Sequence, residues 1–125
     1  MKIRIKGNSV RLRLGQSEVS YLGEHGILEE STMFADSVFI YRLCHASTEK
    51  KIRATFTGGV ISVLLPTESF EKFVNTQVIG CEGEMIINDK EVLYILVEKD
   101  FKCLDTTFED QSDNYPNPLT EEYGK

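Results

Sequence analysis

Hydrophobic and polar residues alternate from the second position of the chain. Ile3 and Ile5, then Val10, Leu12 and Leu14, take one face, while Lys2, Arg4, Lys6, Arg11 and Arg13 take the other. A period of two is the signature of a half-buried strand, and Gly7-Asn8 is a turn signal. Residues 2–6 and 9–14 are therefore predicted to form a β-hairpin with one apolar face. Val19 and Leu22, three apart, set a one-sided helix over 17–24 that closes near Gly23 or Gly26. Strands follow at 27–34 and 37–45, split by Ala35-Asp36. Val38-Phe39-Ile40-Tyr41 is apolar on both faces, which places that strand centrally in its sheet.

The same order of elements then returns. Strands at 51–57 and 60–65 flank Gly58-Gly59, Pro66 and Thr67 open a helix, and strands at 78–87 and 91–99 flank Asn88-Asp89. Thr67 is the expected N-cap, with Glu68 and Glu71 in the positive first turn. Phe70, Phe73 and Val74 form the apolar stripe of this helix. Lys2-Ile3-Arg4 recurs as Lys51-Ile52-Arg53. After a two-residue insertion at the turn, Val10, Leu14, Val19, Leu22 and Ile27 fall opposite Ile61, Leu65, Phe70, Phe73 and Val78 at a constant offset of 51.

The expected fold is α+β: a duplicated ββαββ unit with pseudo-repeats at 2–45 and 51–100. It would carry about eight mostly antiparallel strands and two short helices. Open sheets expose their edges, so the strands are expected to close into a barrel-like body, with a sandwich as the alternative. Residues 1–103 make up the domain, and 104–125 an irregular acidic tail partly packed on the body.

Composition narrows the class. A chain of 125 residues that is 41% hydrophobic and 27% charged fits one globular domain and excludes global disorder. The longest apolar run, Val92 to Val97, is strand-length, whereas a membrane-spanning helix needs about 20 apolar residues. The alternating charges after Met1 do not make a secretory signal, and a cytoplasmic protein without membrane contact is expected. Cys44, Cys81 and Cys103 are odd in number and widely spaced. They suit neither a disulfide framework nor a zinc ribbon and are expected as free thiols.

The net charge of −6 is unevenly placed. Residues 1–103 hold 14 acids and 13 bases, whereas 104–125 hold six acids and one base. A near-neutral body with an acidic tail argues against nucleic acid as the partner.

The hairpin cations are the first candidates for chemistry. Like charges across paired strands repel, so something negative should lie nearby. On one reading it is Glu29, Glu30, Glu98 or the tail, around a solvated face. On the other, Arg4, Lys6, Arg11 and Arg13 hold an anionic ligand or an acidic partner. No Gly-rich loop opens a helix, so no phosphate cradle is specified. In the tail, Asp105, Glu109, Asp110, Asp113 and Asn114 crowd oxygens together without the spacing of an EF-hand. The expected reading is instead solvated charge, or docking of Glu109, Asp110, Asp113, Asn114 and Tyr115 onto the basic hairpin face. Cys44 and His45 point to opposite faces of a strand, so at most one of them can join Cys81 and Cys103, and a fourth metal ligand is missing. His25 has no orienting acid. No catalytic residue, metal or cofactor is predicted.

The opening Lys-Ile-Arg-Ile-Lys-Gly-Asn-Ser-Val-Arg-Leu-Arg-Leu, residues 2–14, resembles the start of a family of short uncharacterised bacterial proteins. Residues 98–105, Glu-Lys-Asp-Phe-Lys-Cys-Leu-Asp, and 109–118, Glu-Asp-Gln-Ser-Asp-Asn-Tyr-Pro-Asn-Pro, resemble its end. That family is a domain of unknown function, so the resemblance implies a bacterial source and transfers no activity. It does imply that the two end motifs matter together. The expected function is a non-catalytic binding or interaction module with an acidic protein as a partner. The alternative is an enzyme or receptor in which Arg4, Arg11 and Arg13 hold a small phosphorylated or carboxylated ligand inside the barrel.

Overall fold

The computed structural model describes residues 1–100. Along the chain run β1 (Lys2–Lys6), β2 (Ser9–Leu14), α1 (Gln16–His25), β3 (Ile27–Met33), β4 (Val38–His45), β5 (Arg53–Thr57), β6 (Val60–Leu65), α2 (Thr67–Asn75), β7 (Gly80–Ile86) and β8 (Val92–Lys99). The strands form two four-stranded sheets, ordered β1-β2-β8-β7 and β3-β4-β6-β5. Within each sheet two antiparallel hairpins meet through a parallel central pair, β2 with β8 and β4 with β6. The sheets are thus mixed, and each takes one hairpin from each half of the chain. β4 and β8 are both central, as their continuous apolar runs require.

Alternation directs one face of each sheet inward. Leu12, Leu14, Ile95 and Val97 of the first sheet and Leu43, Val63 and Leu65 of the second share one core with Leu22 of α1 and Phe73 of α2. None of these nine side chains is more than 2% exposed. Each helix carries the chain from one sheet to the other and fills the space between them with its apolar stripe. α1 starts at Gly15, whose N–H donates to the Glu18 carboxylate at 2.9 Å. It ends at Gly26, where φ is +74° and the N–H returns to the Leu22 carbonyl.

The expected barrel does not form. Closure would need hydrogen-bonded ladders between β1 and β3 and between β5 and β7, and the sheets have neither. Side chains occupy both seams instead. Near β3, buried Met1 pairs its amine with Glu18 and Glu30, and its carbonyl accepts the Tyr41 hydroxyl at 2.7 Å. Near β7, buried Ile52 lies against Gly83, where a Cβ would stand 3.1 Å from that of Ile52. Backbone pairing at either edge would have to expel these groups from the core.

Three finer expectations are also corrected. The β1–β2 and β5–β6 turns are equal in length, since Lys2 pairs with Arg13 and Arg53 with Leu64. Arg53 therefore stands where Lys2 stands, and the likeness of Lys51-Ile52-Arg53 to Lys2-Ile3-Arg4 is two residues out of step. The cap of α2 is Pro66, and Thr67 is already helical. Glu71 consequently falls beyond the first turn, where it accepts from Asn75 at 2.6 Å.

Candidate interaction surface

The strand registers place the hairpin cations together on the outward face of the first sheet. Lys2 stands opposite Arg13, Arg4 opposite Arg11 and Lys6 opposite Ser9. The parallel pairing extends these three rows to Glu98, Leu96 and Tyr94, and β7 completes them with Gly80, Glu82 and Glu84. The face changes sign across its width, from cations on β1 and β2 to carboxylates on β8 and β7. Arg4, Arg11 and Arg13 line no barrel interior, because alternation turns them away from the core that Leu12 and Leu14 enter.

Glu98 is the acid that the crowded cations require. One of its oxygens accepts from Arg11 Nε at 2.6 Å and from Arg13 Nε at 2.7 Å. Burial works against its charge, but the hydrogen bonds from Arg13 and Arg11 outweigh it and hold the carboxyl below its usual range. Asp100 lies 3.4 Å from the Lys2 ammonium, and its N–H donates to the Leu14 carbonyl. Glu29 and Glu30 serve elsewhere: Glu29 pairs with Arg42 at 3.0 Å and Glu30 with the Met1 amine at 2.8 Å. Among the described residues no carboxylate pairs with Arg4 or Lys6, and no cation pairs with Glu82 or Glu84.

Between Arg11 on one side and Glu82 and Glu84 on the other, the face sinks into a concavity of about 490 Å³. Leu96 lies along it, and Tyr94 stands beside it 53% exposed. A second concavity of about 840 Å³ opens where β2 and β8 end, among Leu14, Gln16, Val19, Thr76 and Asp100. The predicted tail contacts Glu109, Asp110, Asp113, Asn114 and Tyr115, and Cys103, lie outside the described residues.

The remaining candidates are apart from one another. Cys81 faces the core from β7, and burial pushes its thiol up to about 11. Cys44 lies on β4 in the other sheet, and burial raises its thiol as well. His45 Nε2 is 2.8 Å from Thr67 Oγ1 and its ring stacks on Phe70, an arrangement that ties β4 to α2. His25 stacks on Tyr21 one turn earlier in α1. Two features of the surface escape sequence reasoning. Nothing in the pattern couples His45 to Thr67, and although Glu82-Gly83-Glu84 shows that the two acids share a face, it does not show that they share a sheet with the cations.

Fold and surface together define a small two-sheet α+β domain with a bipolar charged sheet face. No helix among the described residues is long and apolar enough to cross a membrane. The chain belongs to a family of unknown function, DUF7009, whose model matches residues 1–119 and so extends into the acidic segment. Comparison with the curated proteins and with the solved structures found no match.

Proposed function

We propose that the chain is a non-catalytic binding or interaction module and that the outward face of β1, β2, β8 and β7 is its contact surface. One observation carries this reading: Arg4 and Lys6 project from an edge strand with no acid beside them among the described residues, next to two arginines that Glu98 already orients. A strand sets alternate cations at a fixed spacing on one face, and they can pair with carboxylates carried at a matching spacing. An acidic protein segment is the partner this favours. A small free anion seated in the concavity beside Arg11 fits less well, because Glu82 and Glu84 form its opposite wall, whereas a segment lying along β1 stays clear of them.

Two features of the wider reading have support of their own. The repeated order of hairpin, helix and hairpin, with β1–β2 and β5–β6 in equivalent registers, supports descent of both halves from one ββαββ unit. Unpaired Cys44 and Cys81 suit a reducing compartment such as the cytoplasm.

The test is a titration of the whole chain with an acidic peptide and, separately, with inorganic phosphate, followed by backbone amide shifts. The peptide should move β1 and β2 amides at low salt, phosphate should not, and Arg4→Ala with Lys6→Ala should abolish the response. No movement of β1 amides with the peptide would end the proposal.

A further inference from the structure

We propose that the partner of this face is a second copy of the same chain, forming a weak symmetric dimer sheet to sheet. This rests on the reading of the face as a contact surface and goes beyond it by naming the occupant. The segment after residue 100 holds six acids against Lys102 and Lys125 and so answers chiefly the cations, yet the same face also presents Glu82 and Glu84 without cations among the described residues. A partner that satisfies both edges must carry both signs at the same spacing. The chain itself does.

The arrangement follows from the rows. A two-fold axis between the facing sheets, parallel to the strands and passing between β2 and β8, lays β1 of one protomer over β7 of its partner. Arg4 then meets the partner's Glu82 and Lys6 meets the partner's Glu84, each contact occurring twice. β2 lies over the partner's β8, which sets the Arg11 stem above the partner's Leu96. The alternative in-plane axis, across the strands, lays β1 over β1 and opposes cation to cation. Only the first axis is attractive.

Facing sheets stand roughly 10 Å apart and within about 30° of alignment, a gap and a divergence that Arg, Lys and Glu side chains span. Four strands about 4.8 Å apart and five residues long cover roughly 300 Å² per copy, well under the ~800 Å² of a stable complex. The dimer is therefore weak, and because its contacts are ionic it dissociates as salt rises.

Sedimentation of the full chain over a range of concentrations, at low and high salt, tests the idea. Association should grow with concentration at low salt and vanish at high salt. Arg4→Glu with Lys6→Glu, and separately Glu82→Lys with Glu84→Lys, should each weaken self-association by at least about tenfold, since like charges then oppose. Mixing the two variants should restore a dimer, now heteromeric, because one carries two acidic edges and the other two basic ones. Restoration also shows that both variants fold. Absence of the mixed dimer, or unchanged association of either variant alone, overturns the proposal. A chain that stays monomeric while an acidic peptide still moves β1 amides overturns it too and leaves the broader reading standing. Amide shifts of residues 105–113 on Arg4→Glu in such a monomer would identify the tail as occupant.

Discussion

Arg13 and Glu98 are neighbours across the parallel β2–β8 pair, and the Arg13 Nε reaches the Glu98 carboxylate at 2.7 Å. Since Arg11 donates to the same oxygen, a single acid near the end of β8 is shared by two cations of the β1–β2 hairpin. The contact therefore joins the two halves of the chain at the point where their hairpins meet.

Glu98→Gln should destabilise the protein at neutral pH by about 1 kcal/mol, a figure kept small because both arginines are partly exposed. The pH dependence has a definite sign. Glu98 has a lowered pKa in the folded protein, so its contribution is complete above the ordinary carboxylate value and is lost as pH falls through the folded one. Thermal melts of parent and variant should differ at pH 7 and converge in acid. A difference that persists or grows toward low pH contradicts this account of the contact.

Gly80 opens β7, and a Cβ there would stand 2.3 Å from the Val97 carbonyl oxygen and 2.9 Å from the Glu98 Cα. Both are backbone atoms of a central strand, so no side chain can swing away to make room. Gly80→Ala should cost about 2–3 kcal/mol through displacement of β7 from β8. At Gly83 the nearest atom is the Ile52 Cβ at 3.1 Å, across a seam between sheets that can widen. Chemical denaturation of both variants should show the Gly80 change as the more damaging.

Much of this was legible in the sequence because alternation reports which face of a strand is buried. The eight strands, the central positions of β4 and β8 and the shared face of Lys2, Arg4, Lys6, Arg11 and Arg13 all follow from local pattern. Pairing across the sheet is decided by packing between distant segments, which alternation does not encode. For that reason Glu29, Glu30 and Glu98 looked equivalent as neutralising acids, although only Glu98 shares a sheet with the hairpin. Barrel closure is not readable from local pattern on the same ground: Met1 and Ile52 are buried at the seams, and nothing local to either residue announces it.

Cys81 should be slow to react in the folded state. Its thiol, pushed up to about 11, is ionised to only about one part in a thousand at pH 8, and it faces the core. Mass spectrometry after a short pulse of iodoacetamide should find little label on Cys81, with labelling rising sharply on addition of denaturant. Rapid modification in native buffer would place this side chain outside the core.

The exchange of hairpins has the widest consequence for folding. β1 and β2 complete their sheet only with β7 and β8, and β3 and β4 complete theirs only with β5 and β6. Each half alone would expose the inner edges of β2 and β4, or of β6 and β8, together with the apolar faces that form the shared core. Separate polypeptides covering 1–49 and 50–125 should therefore lack stable tertiary structure on their own yet assemble into one native-like complex when mixed. Near-ultraviolet circular dichroism of the two fragments, apart and together, checks this. A cooperative melt from either fragment alone, at concentrations where it is monomeric, would mean that a half can bury its own core without the partner hairpins, which the pairing of β2 with β8 and β4 with β6 does not allow.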